Sequence, residues 1–207
     1  MTANEKRQAV IEKFQTIIGI NKYSHPLRDY CFNPYTDGKT YSDSSSSIAY
    51  SYAAAGLGFG DMDEVGMYQT DKFVDVDVII RSGVIRNPEV LRVGDILFFA
   101  GTDDSRRYVN FCNNVEMIYH IDDEILICGH SSGLPSLKEL NKYCKSRYHR
   151  RTATALGNCG LIKVRRFIQD DAIDLSNVST EDLRNELMRR GELNISEERG
   201  GDNGENN

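Results

Sequence analysis

Asp43-Ser44-Ser45-Ser46-Ser47 puts one carboxylate and four hydroxyls on consecutive positions. Two chemistries fit such a run. Short oxygen-bearing side chains accept from the free N–H groups of a helix's first turn, so the run can simply open a helix, with Asp43 as its N-cap. A serine there can also act as a nucleophile, provided a base takes its proton. Titratable groups that could serve are distant in sequence, among them His120 in VEMIYHI and His130 in CGHSSG. His130 reads equally well as a hydrogen-bonded turn histidine. The five cysteines, Cys31, Cys112, Cys128, Cys144 and Cys159, are odd in number, irregularly spaced and without a CxxC pair. Neither a disulfide framework nor a zinc knuckle fits that spacing, so they read as buried free thiols in a reducing compartment. No metal or other cofactor is expected.

The elements that must position these residues follow from periodicity. Val10, Phe14, Ile17 and Ile18 share a helix face, with Gly19 able to cap it. NKYSHPLRDYCFNPYTDGKTY reads as an ordered loop held by aromatics. The serine run then starts a helix in which Ile48, Tyr52 and Ala55 share a face and Gly56 ends it. Residues 73–80 (FVDVDVII) alternate as a half-buried strand does. NPEVLRVGDILFFAG gives a turn and a strand at 95–100. VEMIYHI and ILICG are two strands joined by Asp122-Asp123-Glu124. PSLKELNKYCKS reads as a short helix, and GLIKVRRFI as a last strand that closes the domain near Phe167. A helix first and antiparallel strands after it predict an α+β domain over 1–168.

The rest, 169–207, changes character. A helix at about 179–190 with Leu183 and Leu187 on one face is followed by a polar, acidic, glycine-rich stretch expected to be disordered. The formal net charge of the 207-residue chain is −6, and all of it sits in this extension, since the body is nearly neutral. Between Lys138 and Arg166 lie nine basic residues against the single acid Glu139. No aromatic-interleaved binding motif accompanies this basic face, so it is read as solvated and nucleic acid is not an expected partner. No apolar run approaches the length that crosses a bilayer, and the start lacks the apolar core of a secretory signal. The expectation is synthesis in a cytoplasm without export by the usual route, and no membrane insertion.

Four segments, in order, resemble one family. SDSSSSIAYSYAAAGL resembles the nucleophile helix of the NlpC-type papain-like cysteine peptidases, with Asp43, Ser45, Ser46, Tyr50, Tyr52, Ala55, Gly56 and Leu57 matching. LRVGDILFF resembles the family's PGDLLFF strand, NNVEMIYHID its HVGMY or HVEMY strand, and CGHSSG the GHGSG element of phage-type members. The resemblance spans about residues 7–168. It implies a papain-like fold with N-terminal helices packed on a central antiparallel sheet. It also implies the family's activity, cleavage of stem peptides in bacterial peptidoglycan by a thiolate at a helix N-terminus with a strand histidine as base.

The chain departs from that pattern at two of three catalytic positions. The family's cysteine falls on Ser44 and its histidine on Asn114; only the orienting position keeps a titratable residue, His130. An amide accepts no proton near neutral pH, and loss of the nucleophile or base of such a unit costs on the order of a thousandfold to a millionfold. The resemblance thus implies a degenerate domain that binds rather than cuts. Asp43, Tyr23, Tyr41 and Ser45 are its candidate substrate-binding residues. The partner it implies is a peptidoglycan stem peptide or a phage or bacterial protein, in a phage or prophage protein that is virion-associated or released at lysis. The other reading is an active endopeptidase or amidase with altered catalytic residues. It would need His120, His130 or Cys112 to take over, and His120 lies about 20 Å along the strand from Asn114.

Overall fold

The computed structural model describes residues 1–100, 112–150, 159–171 and 179–189. Met1–Asp170 forms one compact unit, and Asp171–Asn207 another. The first unit is built on a six-stranded antiparallel sheet, in the order β3 (Val74–Asp75), β10 (Leu161–Arg166), β6 (Ile96–Ala100), β7 (Cys112–Ile121), β8 (Ile125–Gly129), β9 (Ser136–Glu139). Two layers cover it. On one face α1 (Ala3–Gln15) and α2 (Ser44–Ala54) bring Val10, Phe14, Ile48 and Tyr52 against Ile96, Phe98, Val115 and Met117. On the other, α4 (Leu140–His149) brings Leu140 and Cys144 against Leu97, Phe99, Ile118 and Ile127. This is why ILFFA in β6 is apolar at every position: with both faces covered, alternation has no solvent side to report. The architecture is α+β, with helices packed on a central antiparallel sheet.

The VGD turn before β6 anchors the layers. Gly94 has φ +85°, and its carbonyl accepts from the buried Tyr52 hydroxyl at 2.7 Å. Asp95 is fully buried and takes a two-pronged bond from the Arg166 guanidinium at 2.7 and 2.8 Å. Two parallel residue pairs, β1 (Lys22–Tyr23) with β2 (Tyr41–Ser42), tie the long tyrosine-rich loop to the start of α2. Tyr30, Tyr35 and Tyr41 stack edge to face within that loop, at 4.8 and 6.3 Å between centroids.

Several expected elements change extent. The alternating 73–80 segment is not one strand. Val74–Asp75 pairs with β10, then the chain leaves that edge and Ile80–Arg81 (β4) forms a hairpin with Val84–Ile85 (β5). Ser82 and Gly83, both at positive φ, make the tight turn that matches strand twist. The expected helix in PSLKELNKYCKS begins only at Leu140. Ser136–Glu139 pairs with β8 instead, and Glu139 caps α4 through bonds from Asn141 and Lys142. A short helix, α3 (Glu64–Gln69), follows α2; periodicity over six residues is too brief to announce it. In the second unit, α5 spans Thr180–Arg189. The Leu183 and Leu187 side chains, Arg151 of the basic face, and the chain from residue 190 lie outside the described residues. No helix among the described residues is long and apolar enough to cross a membrane.

Candidate functional site

Ser44 to Ser47 are all buried, and the first turn of α2 accounts for three of their four hydroxyls. Asp43 Oδ1 accepts from the Ser46 N–H at 2.8 Å and from the Ser45 hydroxyl at 3.0 Å. The Ser46 hydroxyl accepts in return from the Asp43 N–H at 2.8 Å, closing a capping box with serine in the place usually held by Glu or Gln. The Ser47 hydroxyl donates to the Ser44 carbonyl at 3.0 Å. The Ser44 side chain is different. It is 7% exposed, and its hydroxyl bonds no other described residue. Burial opposes the charge of Asp43, but the Ser46 N–H, His25 and the Ser46 and Ser45 side chains outweigh it and hold the carboxyl below its ordinary value.

His130 sits just behind this turn, fully buried. Its Nε2 is 3.1 Å from the Gly133 carbonyl, which can only accept, so Nε2 carries the proton. Its Nδ1 then accepts from the Ser42 hydroxyl at 2.7 Å, while Ser42 Oγ accepts from Asn21 Nδ2 at 3.1 Å. Tyr23 packs edge-on against the imidazole at 5.3 Å. Burial lowers the His130 pKa, keeping the ring neutral. Both ring nitrogens are engaged, so neither is available to Ser44.

Asn114 turns the other way. It pairs with Phe99 on the α4 side of the sheet and donates to the Tyr143 hydroxyl at 3.1 Å and to Glu116 Oε1 at 3.5 Å. Cys112, two residues earlier, does not share that face. The β6–β7 register shifts between Phe99 and Ala100, and Cys112 packs with the α1/α2 core. Burial pushes its thiol up to about 12, so a thiolate is not accessible near neutral pH. His120 is exposed near the far end of β7. The Tyr41 hydroxyl is spent on Asp37 Oδ2 at 2.7 Å. Tyr23, Asp43, Ser44, Ser45 and His130 therefore cluster where β2 runs into α2, whereas Asn114 faces α4 and Tyr41 faces its own loop.

Two residues that periodicity did not single out join the cluster. His25 Nδ1 lies 2.9 Å from Asp43 Oδ2, with its side chain 71% exposed. The β1–β2 pairing explains this: Tyr23 is opposite Ser42, the last residue before the Asp43 cap, so His25, two residues on from Tyr23, comes within reach of Asp43. Glu64, the first residue of α3, has its carboxyl pKa raised, chiefly by burial and then by Asp63 and Asp43. Pairing between two-residue strands nineteen positions apart leaves no periodic trace, so SHP gave no signal for His25. The acidic run Asp61-Met62-Asp63-Glu64 was the one visible hint of Glu64.

No protein-family model matches the chain. No curated protein matches it in sequence. Among solved structures, it is similar to a lipoprotein-like protein of the NLP/P60 family from Staphylococcus aureus, with 16% identity and a TM-score of 0.48. That match covers 80% of this chain and 42% of the other, so the chain spans less than half the length of that relative. It is also similar to the peptidoglycan hydrolase RipB from Mycobacterium tuberculosis, with 15% identity, a TM-score of 0.48, and coverage of 81% of this chain and 67% of that one.

Proposed function

We propose that Met1–Asp170 is an NlpC-like domain that binds a bacterial cell-wall stem peptide and lacks the thiol route of papain-like peptidases. One observation carries the reading: the positions of the family's nucleophile, base and orienting group hold no working set. Ser44 replaces the thiol, Asn114 bonds Tyr143 rather than facing α2, and His130 has both ring nitrogens engaged. Of the expected binding residues at the start of α2, Tyr23 is exposed, whereas Asp43, Ser44 and Ser45 are buried and the Ser45 hydroxyl is spent on Asp43. The VEMIY and CGHSSG segments support a phage or prophage protein, acting in the virion or at lysis.

The test is incubation with purified peptidoglycan, scoring both co-sedimentation and released amines or stem peptides. The protein is expected to pellet with the wall and to release nothing above a blank. Failure to pellet overturns the wall-binding reading. Conversion of Ser44→Cys with Asn114→His is expected to give release only if the new side chain at position 114 points towards α2 rather than towards Tyr143, as Asn114 does. A second reading, a hydrolase with altered catalytic residues, is favoured by the His25 contact with Asp43. Product release abolished by Ser44→Ala would establish it in place of the first.

A further inference from the structure

We propose that His25, oriented by Asp43, is the base for Ser44, so that this end of α2 is a serine acyl-acceptor site. The proposal deepens the second reading above, and no strand residue takes part in it. Asp43 uses its two oxygens separately: Oδ1 caps the helix through Ser46 and Ser45, and Oδ2 holds His25 Nδ1 at 2.9 Å. A carboxylate on Nδ1 fixes the tautomer that leaves Nε2 as the basic nitrogen. Arg28 Nη1 also lies 3.7 Å from the same Oδ2. His25 is thus held at the residue that directly precedes Ser44, whose buried hydroxyl has no hydrogen bond among the described residues.

The first turn also supplies an oxyanion site. The Ser46 N–H is taken by Asp43 Oδ1 and the Ser47 N–H by the Asp43 carbonyl. The N–H groups of Ser44 and Ser45, the first two of the helix, have no intrahelical acceptor. They are donors of the kind that stabilise a tetrahedral oxyanion.

At rest Ser44 and His25 share no hydrogen bond. The imidazole is held at Nδ1 only and is largely in solvent, so catalysis requires it to pivot about the Asp43 contact until Nε2 meets the hydroxyl, a contact of the kind that commonly tightens only with substrate. In the step itself, Ser44 Oγ bonds to an acyl carbon as its proton passes to His25 Nε2. The carbonyl electron pair moves to oxygen, then returns as the leaving amine departs with the proton from His25. Water, deprotonated by the same base, releases the acyl group and restores Ser44.

A fluorophosphonate probe tests this without knowledge of the natural ligand, because Ser44 Oγ would displace fluoride from phosphorus. Intact-mass and peptide mapping of the full chain are expected to find one adduct, on Ser44. Ser44→Ala abolishes it. His25→Ala slows labelling by roughly a hundredfold or more, the usual contribution of a general base, and added imidazole restores part of the rate. His120→Ala leaves labelling unchanged. No adduct at Ser44 in the folded protein, or equal labelling of His25→Ala, overturns the proposal. Because His25 is exposed, an unchanged thermal midpoint for His25→Ala separates loss of the base from loss of fold. Failed labelling with retained pelleting on peptidoglycan sinks the serine route alone. Labelling without pelleting sinks the wall reading alone.

Discussion

Asp43 is charged with two tasks that a substitution can separate. Asn keeps a side-chain oxygen for the cap but removes the charge that holds His25; Ala removes both. Asp43→Ala is expected to lower stability by about 0.5–2 kcal/mol, the usual worth of an N-cap, and Asp43→Asn by less, read from urea midpoints. His130 gives a pH test. Its folded pKa is lowered by burial, so the unfolded chain takes up the proton first. Its contribution to stability is therefore complete above the ordinary imidazole value of about 6.5 and is lost as pH falls through the lowered folded value. Urea midpoints are expected to drop over that acidic window, and His130→Asn, which has no group to titrate there, is expected to flatten the drop. The residue-level reading of the serines as a helix start agrees with the capping geometry, because local oxygen–amide chemistry decides it. Which histidine meets Asp43 was not legible, because that depends on a contact between β1 and β2.

Strand β7 shows how an element can mislead. Residues two apart share a strand face only while the register holds, and the shift opposite Ala100 sends Cys112 and Asn114 to opposite sides. Further along β7, Glu116 is fully buried; Lys138 of β9 bonds its Oε1 at 2.7 Å, and its Oε2 has no hydrogen-bond partner among the described residues. Lys138→Met would strand that carboxylate and is expected to cost about 3–5 kcal/mol, with much of the loss recovered by adding Glu116→Gln; calorimetry of the two variants checks this. Gly129 of β8 belongs to the same arrangement, since a Cβ there would overlap Glu116 Oε2. Gly129→Ala is expected to destabilise strongly alone and far less when combined with Glu116→Ala, which thermal midpoints of the single and double variants would establish.

At the scale of the whole molecule, the body ends on an ionic clasp. Arg7, in the buried stripe of α1, donates to the Ile168 carbonyl at 2.8 Å and to Asp170 at 2.6 Å, and Arg92 and Arg166 approach the same carboxylate. Burial opposes the charge of Asp170, but these arginines hold its pKa below the ordinary carboxylate range. A chain ending at Asp170 is therefore expected to keep the thermal midpoint of the body. One ending at Gln169 strips a partner from a buried guanidinium and is expected to melt lower. Scanning calorimetry of the two truncations decides between them. Composition marks the change of character nearby, because the acidic extension begins there, but only the Arg7 contact explains why Asp170 belongs with the body.

The sequence by itself determined what is local and periodic. Asp43 as cap, Gly56 as helix end, the β7–β8 hairpin, β10 and the α+β class all follow from side-chain chemistry within a few residues. Only the tertiary structure decided which groups meet. The parallel pairing of β1 with β2 brings His25 to Asp43, the slipped register turns Asn114 towards Tyr143, and the bonds to Ser42 and Gly133 occupy both nitrogens of His130. Each is a contact between segments distant in the chain, set by register and burial, and such contacts have no signature in the spacing of residues along it.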